Sequence, residues 1–131
     1  LFRSLPGMLK FIDSAYDNGY KMAIASASKN APLILSQLQL TDYFDGIVDP
    51  TALKNGKPNP EIFLRSADIM SLDNTQVIGL EDATAGITAI NAAGQTSLGI
   101  GNATVLSAAN LIYPSTESVT LANIAHDMKN I

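Results

Sequence analysis

Apolar residues recur along this chain in two rhythms. Met8, Leu9, Phe11, Ile12 and Ala15 fall at helical spacing and predict a helix. Leu5-Pro6-Gly7 opens it and Asn18-Gly19 closes it, glycine being the usual residue just past a helix end. Met22-Ala23-Ile24-Ala25 is too short for an independent helix and reads as a buried strand. Ser26-Ala27-Ser28-Lys29-Asn30 follows, and then a second helical pattern through Leu38, with Pro32 in its first turn where the missing N–H costs nothing. Gly46-Ile47-Val48 is another short strand, and a loop from Asp49 to Asn59 leads to a helix over about residues 60–70. Val77 to Leu80 reads as a third strand, residues 84–93 as a helix, Thr96 to Ile100 as a fourth strand and Ala109 to Tyr113 as a fifth. Leu121 to Met128 is a closing helix.

Strands alternating with helices imply right-handed crossovers and a parallel sheet covered on both faces. The expected fold class is therefore α/β, a three-layer αβα arrangement of Rossmann-like type. There is no internal repeat, low-complexity stretch or interdomain linker, so residues 1–131 are read as one domain. With 131 residues and 47% hydrophobic content the chain has material for a core. Its net charge of -4, from 12 acids against 8 bases, and the lack of a basic run argue against nucleic acid or an anionic membrane as partner. The absence of cysteine excludes disulfides and thiolate chemistry and fits a cytoplasmic location. No run of 18 apolar residues occurs. Leu1 follows no methionine and opens no signal peptide, which makes an upstream segment an expectation.

Polar chemistry gathers in three loops, each after a predicted strand. Ser26, Ser28, Lys29 and Asn30 put two hydroxyls, an ammonium and a carboxamide at a helix entrance, a place suited to anions. The plainer alternative is that Ser28 or Asn30 caps the helix and Lys29 is solvated. Lys57 lies between Gly56 and Pro58, and the prolines bracketing Asn59 stiffen the chain after it; the alternative is a solvated turn lysine. Glu81 and Asp82 end the third strand, where oxygen ligands can hold Mg²⁺, although acids in the first turn of a helix are favoured by its dipole alone.

Together the loops are far more specific. The runs Ala25-Ser26-Ala27-Ser28-Lys29-Asn30-Ala31-Pro32, Gly56-Lys57-Pro58-Asn59-Pro60-Glu61 and Glu81-Asp82-Ala83-Thr84-Ala85-Gly86-Ile87 resemble the second, third and fourth motifs of the haloacid dehalogenase superfamily of phosphoryl-transfer enzymes. Within it they look closest to the β-phosphoglucomutase branch. The resemblance implies that Ser26 and the Ala27 N–H bind the transferring phosphoryl group, and that Ser28, Lys29 and Asn30 hold the other phosphate of a sugar-phosphate substrate. It implies that Lys57 bridges the catalytic carboxylate and the phosphoryl oxygens. Asp82 becomes a Mg²⁺ ligand, with Glu81 a second ligand or its supporting partner. The implied activity is Mg²⁺-dependent interconversion of β-glucose 1-phosphate and glucose 6-phosphate through an aspartyl phosphate and a bisphosphate. Alternatives are a sugar-phosphate phosphatase on the same fold and a noncatalytic phosphate-binding or interaction module.

One departure is serious. The superfamily begins with a strand ending in Asp-x-Asp, followed by a helical cap, and no Asp-x-Asp occurs in this chain. The expectation is an incomplete core, lacking its first strand and cap. That strand belongs between the one ending at Ser26 and the one ending at Asp82. The fragment is then either loosely folded or completed by a missing N-terminal segment or a self-associated copy, and inactive alone. His126, in the closing helix beside Asp127, is read as a helix-end residue, and Tyr16, Tyr20, Tyr43 and Phe44 as packing.

Overall fold

The structure, a computed structural model, describes residues 6–131; Leu5, placed above at the opening of the first helix, lies outside them. Ten elements follow in the expected order: α1 (Met8–Asp17), β1 (Ala23–Ile24), α2 (Ala31–Gln37), β2 (Gly46–Ile47), α3 (Glu61–Met70), β3 (Ile78–Glu81), α4 (Thr84–Ala92), β4 (Thr96–Ile100), β5 (Leu111–Tyr113) and α5 (Leu121–Met128). Among the described residues four 3-10 turns join them, at Thr41–Tyr43, Pro50–Ala52, Asn74–Gln76 and Thr116–Ser118. Polar side chains shape two of these locally: the Asp49 carboxylate accepts the Thr51 N–H at 2.9 Å, and Asp73 and Gln76 form a reciprocal cap.

Among the described residues all strand pairing is parallel, but it falls into two sheets. β1 pairs with β2, Ala23 opposite Gly46 and Ile24 opposite Ile47. β3, β4 and β5 form the other sheet in that order. Among the described residues, β1 and β3 have no strand on their remaining edges. The parallel sheet is thus interrupted, at the place where the resemblance puts the absent strand. Burial follows the pairing. Ser97 and Leu98 of β4 are fully buried, whereas Ile78 and Leu80 of β3 stay partly exposed.

Helices cover both faces and hold the two sheets together. On one face Ile62 and Phe63 of α3 pack with Val48, after β2, and with Ala89, Ile90 and Ala93 at α4. α4 lies so close to β3 that a Cβ on Gly79 would come within 2.7 Å of the Ile90 side chain. On the other face α1 spans the interruption with adjacent residues. Ile12 joins Ile24 of β1 and Leu35 of α2, while Phe11 packs against the cluster of Leu98, Leu111, Tyr113 and Ile124. The start of α1 is fixed from the far end of the chain. Gly7 has φ 82°, and a Cβ there would sit 3.1 Å from the Thr116 carbonyl oxygen; the Thr116 hydroxyl donates to the Pro6 carbonyl. No helix among the described residues is long and apolar enough to cross a membrane.

Candidate functional site

The chain leaving β1 turns on its own hydroxyls. Ser26 Oγ accepts the Ser28 N–H at 3.1 Å and Ser28 Oγ accepts the Asn30 N–H at 3.2 Å, two successive side-chain turns that deliver the backbone into α2. Asn30 occupies the cap position without making a side-chain capping bond, so simple capping by Asn30 does not account for it. Ser26 is half-buried; Ala27, Ser28, Lys29 and Asn30 are exposed. Lys29 lines a groove of about 250 Å³ with Pro32, Ile47, Val48, Asp49 and Thr51. The Asp49 carboxyl is held below its usual range, chiefly by the Thr51 hydroxyl and N–H, with the Lys29 charge a lesser contributor.

Lys57 comes from the loop between β2 and α3, and that loop is pinned by Glu61. The Glu61 carboxylate accepts N–H bonds from Asn55 at 2.9 Å and Lys54 at 3.0 Å, which hold it below the usual carboxylate range. Asn59 Oδ1 accepts the Glu61 N–H at 3.0 Å, and the Lys57–Pro58 peptide is cis. Sequence reasoning missed the part played by Glu61. Its signal was an acid directly after Asn59-Pro60 at a helix start, where it reaches back over the preceding loop. The Lys57 side chain is 25% exposed, its ammonium 2.7 Å from Glu81 Oε2 and 5.4 Å from the centre of the Phe63 ring.

Glu81 is the last residue of β3. Its side chain is 11% exposed and both oxygens are engaged: Oε2 with Lys57, Oε1 with the N–H groups of Asp82 at 3.0 Å and Ala83 at 3.3 Å. α4 begins only at Thr84 and carries no acid in its first turn, so dipole complementation within that turn is not what places these acids. Burial pushes the Glu81 carboxyl up, but the Lys57 bond and charge and the Asp82 N–H outweigh it and hold it below its usual range. Asp82 is exposed, and its carboxyl is raised, first by the neighbouring Glu81 carboxylate and then by burial.

The Lys57–Glu81 contact joins the two sheets at one edge. It brings the loop after β2 to the carboxyl end of β3, and since β1 runs parallel to β2, Ser26 leaves the sheet at the same edge. Lys57, Glu81 and Asp82 are thus brought together. Among the described residues no hydrogen bond links Ser26, Ser28, Lys29 or Asn30 to Lys57 or Glu81. An edge with free N–H groups, hydroxyls and an ordered ammonium suits an anion with several oxygens. Carboxylate oxygens are also the donors that Mg²⁺ takes, those of Asp82 being open and those of Glu81 already held. Among the described residues no group of three or more His, Cys, Asp or Glu is placed to hold a metal. His126 is exposed at the end of α5, with Nδ1 3.1 Å from Asp127, and Tyr16 meets Tyr43 edge to face at 4.8 Å.

Comparison with known proteins gives these features a context. The chain is 39% identical over 117 residues to a β-phosphoglucomutase of Bacillus subtilis, spanning 89% of this chain and 52% of that protein. It is 37% identical over 81 residues to a fructose-1-phosphate phosphatase of Escherichia coli, spanning 60% of this chain and 43% of that protein. Its fold superposes on the structure of a β-phosphoglucomutase from Clostridium difficile with a TM-score of 0.92 at 41% identity, covering 96% of this chain and 56% of the other. The chain therefore spans about half the length of these relatives. The family model for haloacid dehalogenase-like hydrolases matches residues 1–100, and the chain belongs to that family.

Proposed function

We propose that this chain is the phosphate-handling part of a Mg²⁺-dependent enzyme that interconverts β-glucose 1-phosphate and glucose 6-phosphate in the cytoplasm. The observation that carries the reading is the Lys57 ammonium, held 2.7 Å from Glu81 beside the open Asp82 carboxylate at the edge where ligands bind in α/β sheets. Phosphoryl transfer asks little covalent chemistry of a protein; it needs charge stabilisation on the phosphoryl oxygens and accurate placement. In this reading Lys57 offsets that charge, and the Ser26 hydroxyl and Ala27 N–H donate to the phosphoryl group in transfer. Ser28, Lys29 and Asn30 hold the sugar's other phosphate. Asp82 would hold Mg²⁺, with Glu81 supporting it by fixing Lys57; the metal would draw electron density from the phosphoryl oxygens.

Transfer also requires a nucleophilic carboxylate, whose oxygen bonds to phosphorus as the P–O bond to the sugar breaks. No acid in the chain has the Asp-x-Asp spacing that the family uses for this. The 131-residue chain alone is therefore expected to show no turnover of β-glucose 1-phosphate above background. Adding a segment that carries the Asp-x-Asp strand and a cap, in one chain or in trans, should restore it. Formation of glucose 6-phosphate is followed with its dehydrogenase, and Lys57→Ala in the restored protein should lose about two orders of magnitude or more in rate, about 3 kcal/mol or more of transition-state stabilisation. Turnover by the unrestored chain that survives Asp82→Ala would overturn the reading. The identity with a fructose-1-phosphate phosphatase favours hydrolysis as the second reading, and release of inorganic phosphate without glucose 6-phosphate would select it.

A further inference from the structure

We infer that Gly86 is a positioning residue for the Lys57 ammonium, because the space left by its missing side chain is where the Glu81 carboxylate lies. The third residue of α4, Gly86 is buried and does not have the positive φ that calls for glycine elsewhere. Inside a helix glycine is destabilising relative to alanine, so its backbone gives no reason for it. Its surroundings do. A Cβ built on Gly86 would fall 1.9 Å from Glu81 Cγ and 2.1 Å from both Cδ and Oε2, far inside any real contact.

Glu81 cannot yield by a small shift. Its backbone is fixed in β3 opposite Gly99, Oε1 is held by the N–H groups of Asp82 and Ala83, and Oε2 is held by Lys57. With alanine at position 86 the carboxylate must swing out of this niche, and Lys57 then loses the partner that orders it. Gly86 has no side chain with which to bond Lys57 itself. It acts through Glu81, by leaving room for a carboxylate between helix and strand. The functional weight given to Lys57 rests on the phosphoryl-transfer reading; the geometric claim does not.

Four proteins test it: the parent chain, Gly86→Ala, Glu81→Ala and the double variant, compared by thermal unfolding. In the parent background Gly86→Ala should lower Tm by about 5 °C or more. In the Glu81→Ala background, with the obstructing side chain gone, the same change should raise Tm by roughly 1–4 °C, as glycine to alanine does at an unstrained helical site. Failure of Gly86→Ala to fold while the double variant folds supports the same conclusion. Gly79→Ala is the control. Its Cβ would strike Ile90, so it should lower Tm alike in both backgrounds. Reductive methylation followed by mass spectrometry gives a readout that packing alone would not move. Lys57 should react several-fold faster in Gly86→Ala than in the parent, matching Glu81→Ala, while Lys10 and Lys129 are unchanged. An equal Tm loss from Gly86→Ala in both backgrounds, or unaltered Lys57 reactivity, would overturn the assignment. Neither measurement involves turnover, so an error in the proposed reaction leaves both intact.

Discussion

Replacing Lys57 with methionine retains most of the aliphatic stem and removes the charge from the pair that joins the two sheets, along with the ammonium 5.4 Å from the centre of the Phe63 ring. The partners are 2.7 Å apart with side chains 25% and 11% exposed, between the surface and interior cases. Exposed pairs contribute about 0–1 kcal/mol, while removing one partner of a buried pair costs about 3–5 kcal/mol. A loss of about 2 kcal/mol at pH 7 follows, or roughly 6–8 °C in Tm for a domain of this size. The pH dependence identifies the cause. Because Glu81 is held below its usual range in the folded chain, its contribution is present above the ordinary glutamate value of about 4.3 and is lost as pH falls through the lower folded value. The stability gap between parent and Lys57→Met should therefore be constant from pH 7.5 to about 5 and close at lower pH. Asp82 is raised by its neighbour Glu81, so its own contribution runs the other way, fully present at low pH and falling as pH rises. It is present in both proteins and largely cancels. Urea midpoints at half-unit pH steps provide the measurement. A gap below about 0.3 kcal/mol at pH 7, or one that widens on acidification, would refute the argument.

Two further outcomes are expected. Isothermal titration of the chain with Mg²⁺ should show weak binding that Asp82→Ala abolishes, since Asp82, with the Glu81 oxygens already held, supplies few of the six oxygens the ion takes; tight binding that persists in Asp82→Ala would show that the ligands lie elsewhere. Tyr113 is pushed up to about 12 by burial and by its 2.6 Å hydrogen bond to Asp127, so in a spectrophotometric titration one tyrosine should ionise well after an ordinary phenol. Stability linked to it holds below about pH 10 and is lost as pH rises toward 12, and Asp127→Asn should bring that ionisation to lower pH.

Much of this was readable from residue order because the signals are local. A short apolar run followed by two acids and an alanine-rich helical pattern marks β3 and α4, and glycine and proline flank Lys57 within a few residues. The ion pair between Lys57 and Glu81 was not readable, since its partners are 24 residues apart and nothing in either motif names the other. The role of Gly86 was hidden for a related reason. In a string of letters a glycine inside a helix looks like weakness, and only the position of the Glu81 side chain shows what it leaves room for. β1 and β2 came out at two residues each, shorter than their apolar runs, because pairing and not hydrophobicity sets strand length. Gln95 is buried, with its amide nitrogen bonded to the Phe63 carbonyl at 2.9 Å and the Asn74 side chain at 3.1 Å, contacts that no local pattern announces.

The clasp between Pro6-Gly7 and Thr116-Glu117 bears on how the chain is made. α1 leaves the ribosome before the surfaces that fix its start and cover Phe11, which come from residues 98–124. Until then α1 can engage only the Ile12 side of its contacts, with β1 and α2, and its other flank stays open to solvent. Helix formation itself takes microseconds or less, so the helix waits on the arrival of sequence and not on its own folding. Contacts of such wide sequence separation are also slow to close once both ends are free. Synthesis that pauses before residues 98–124 have emerged would leave this flank exposed, and that is the interval in which a chaperone would have most to bind.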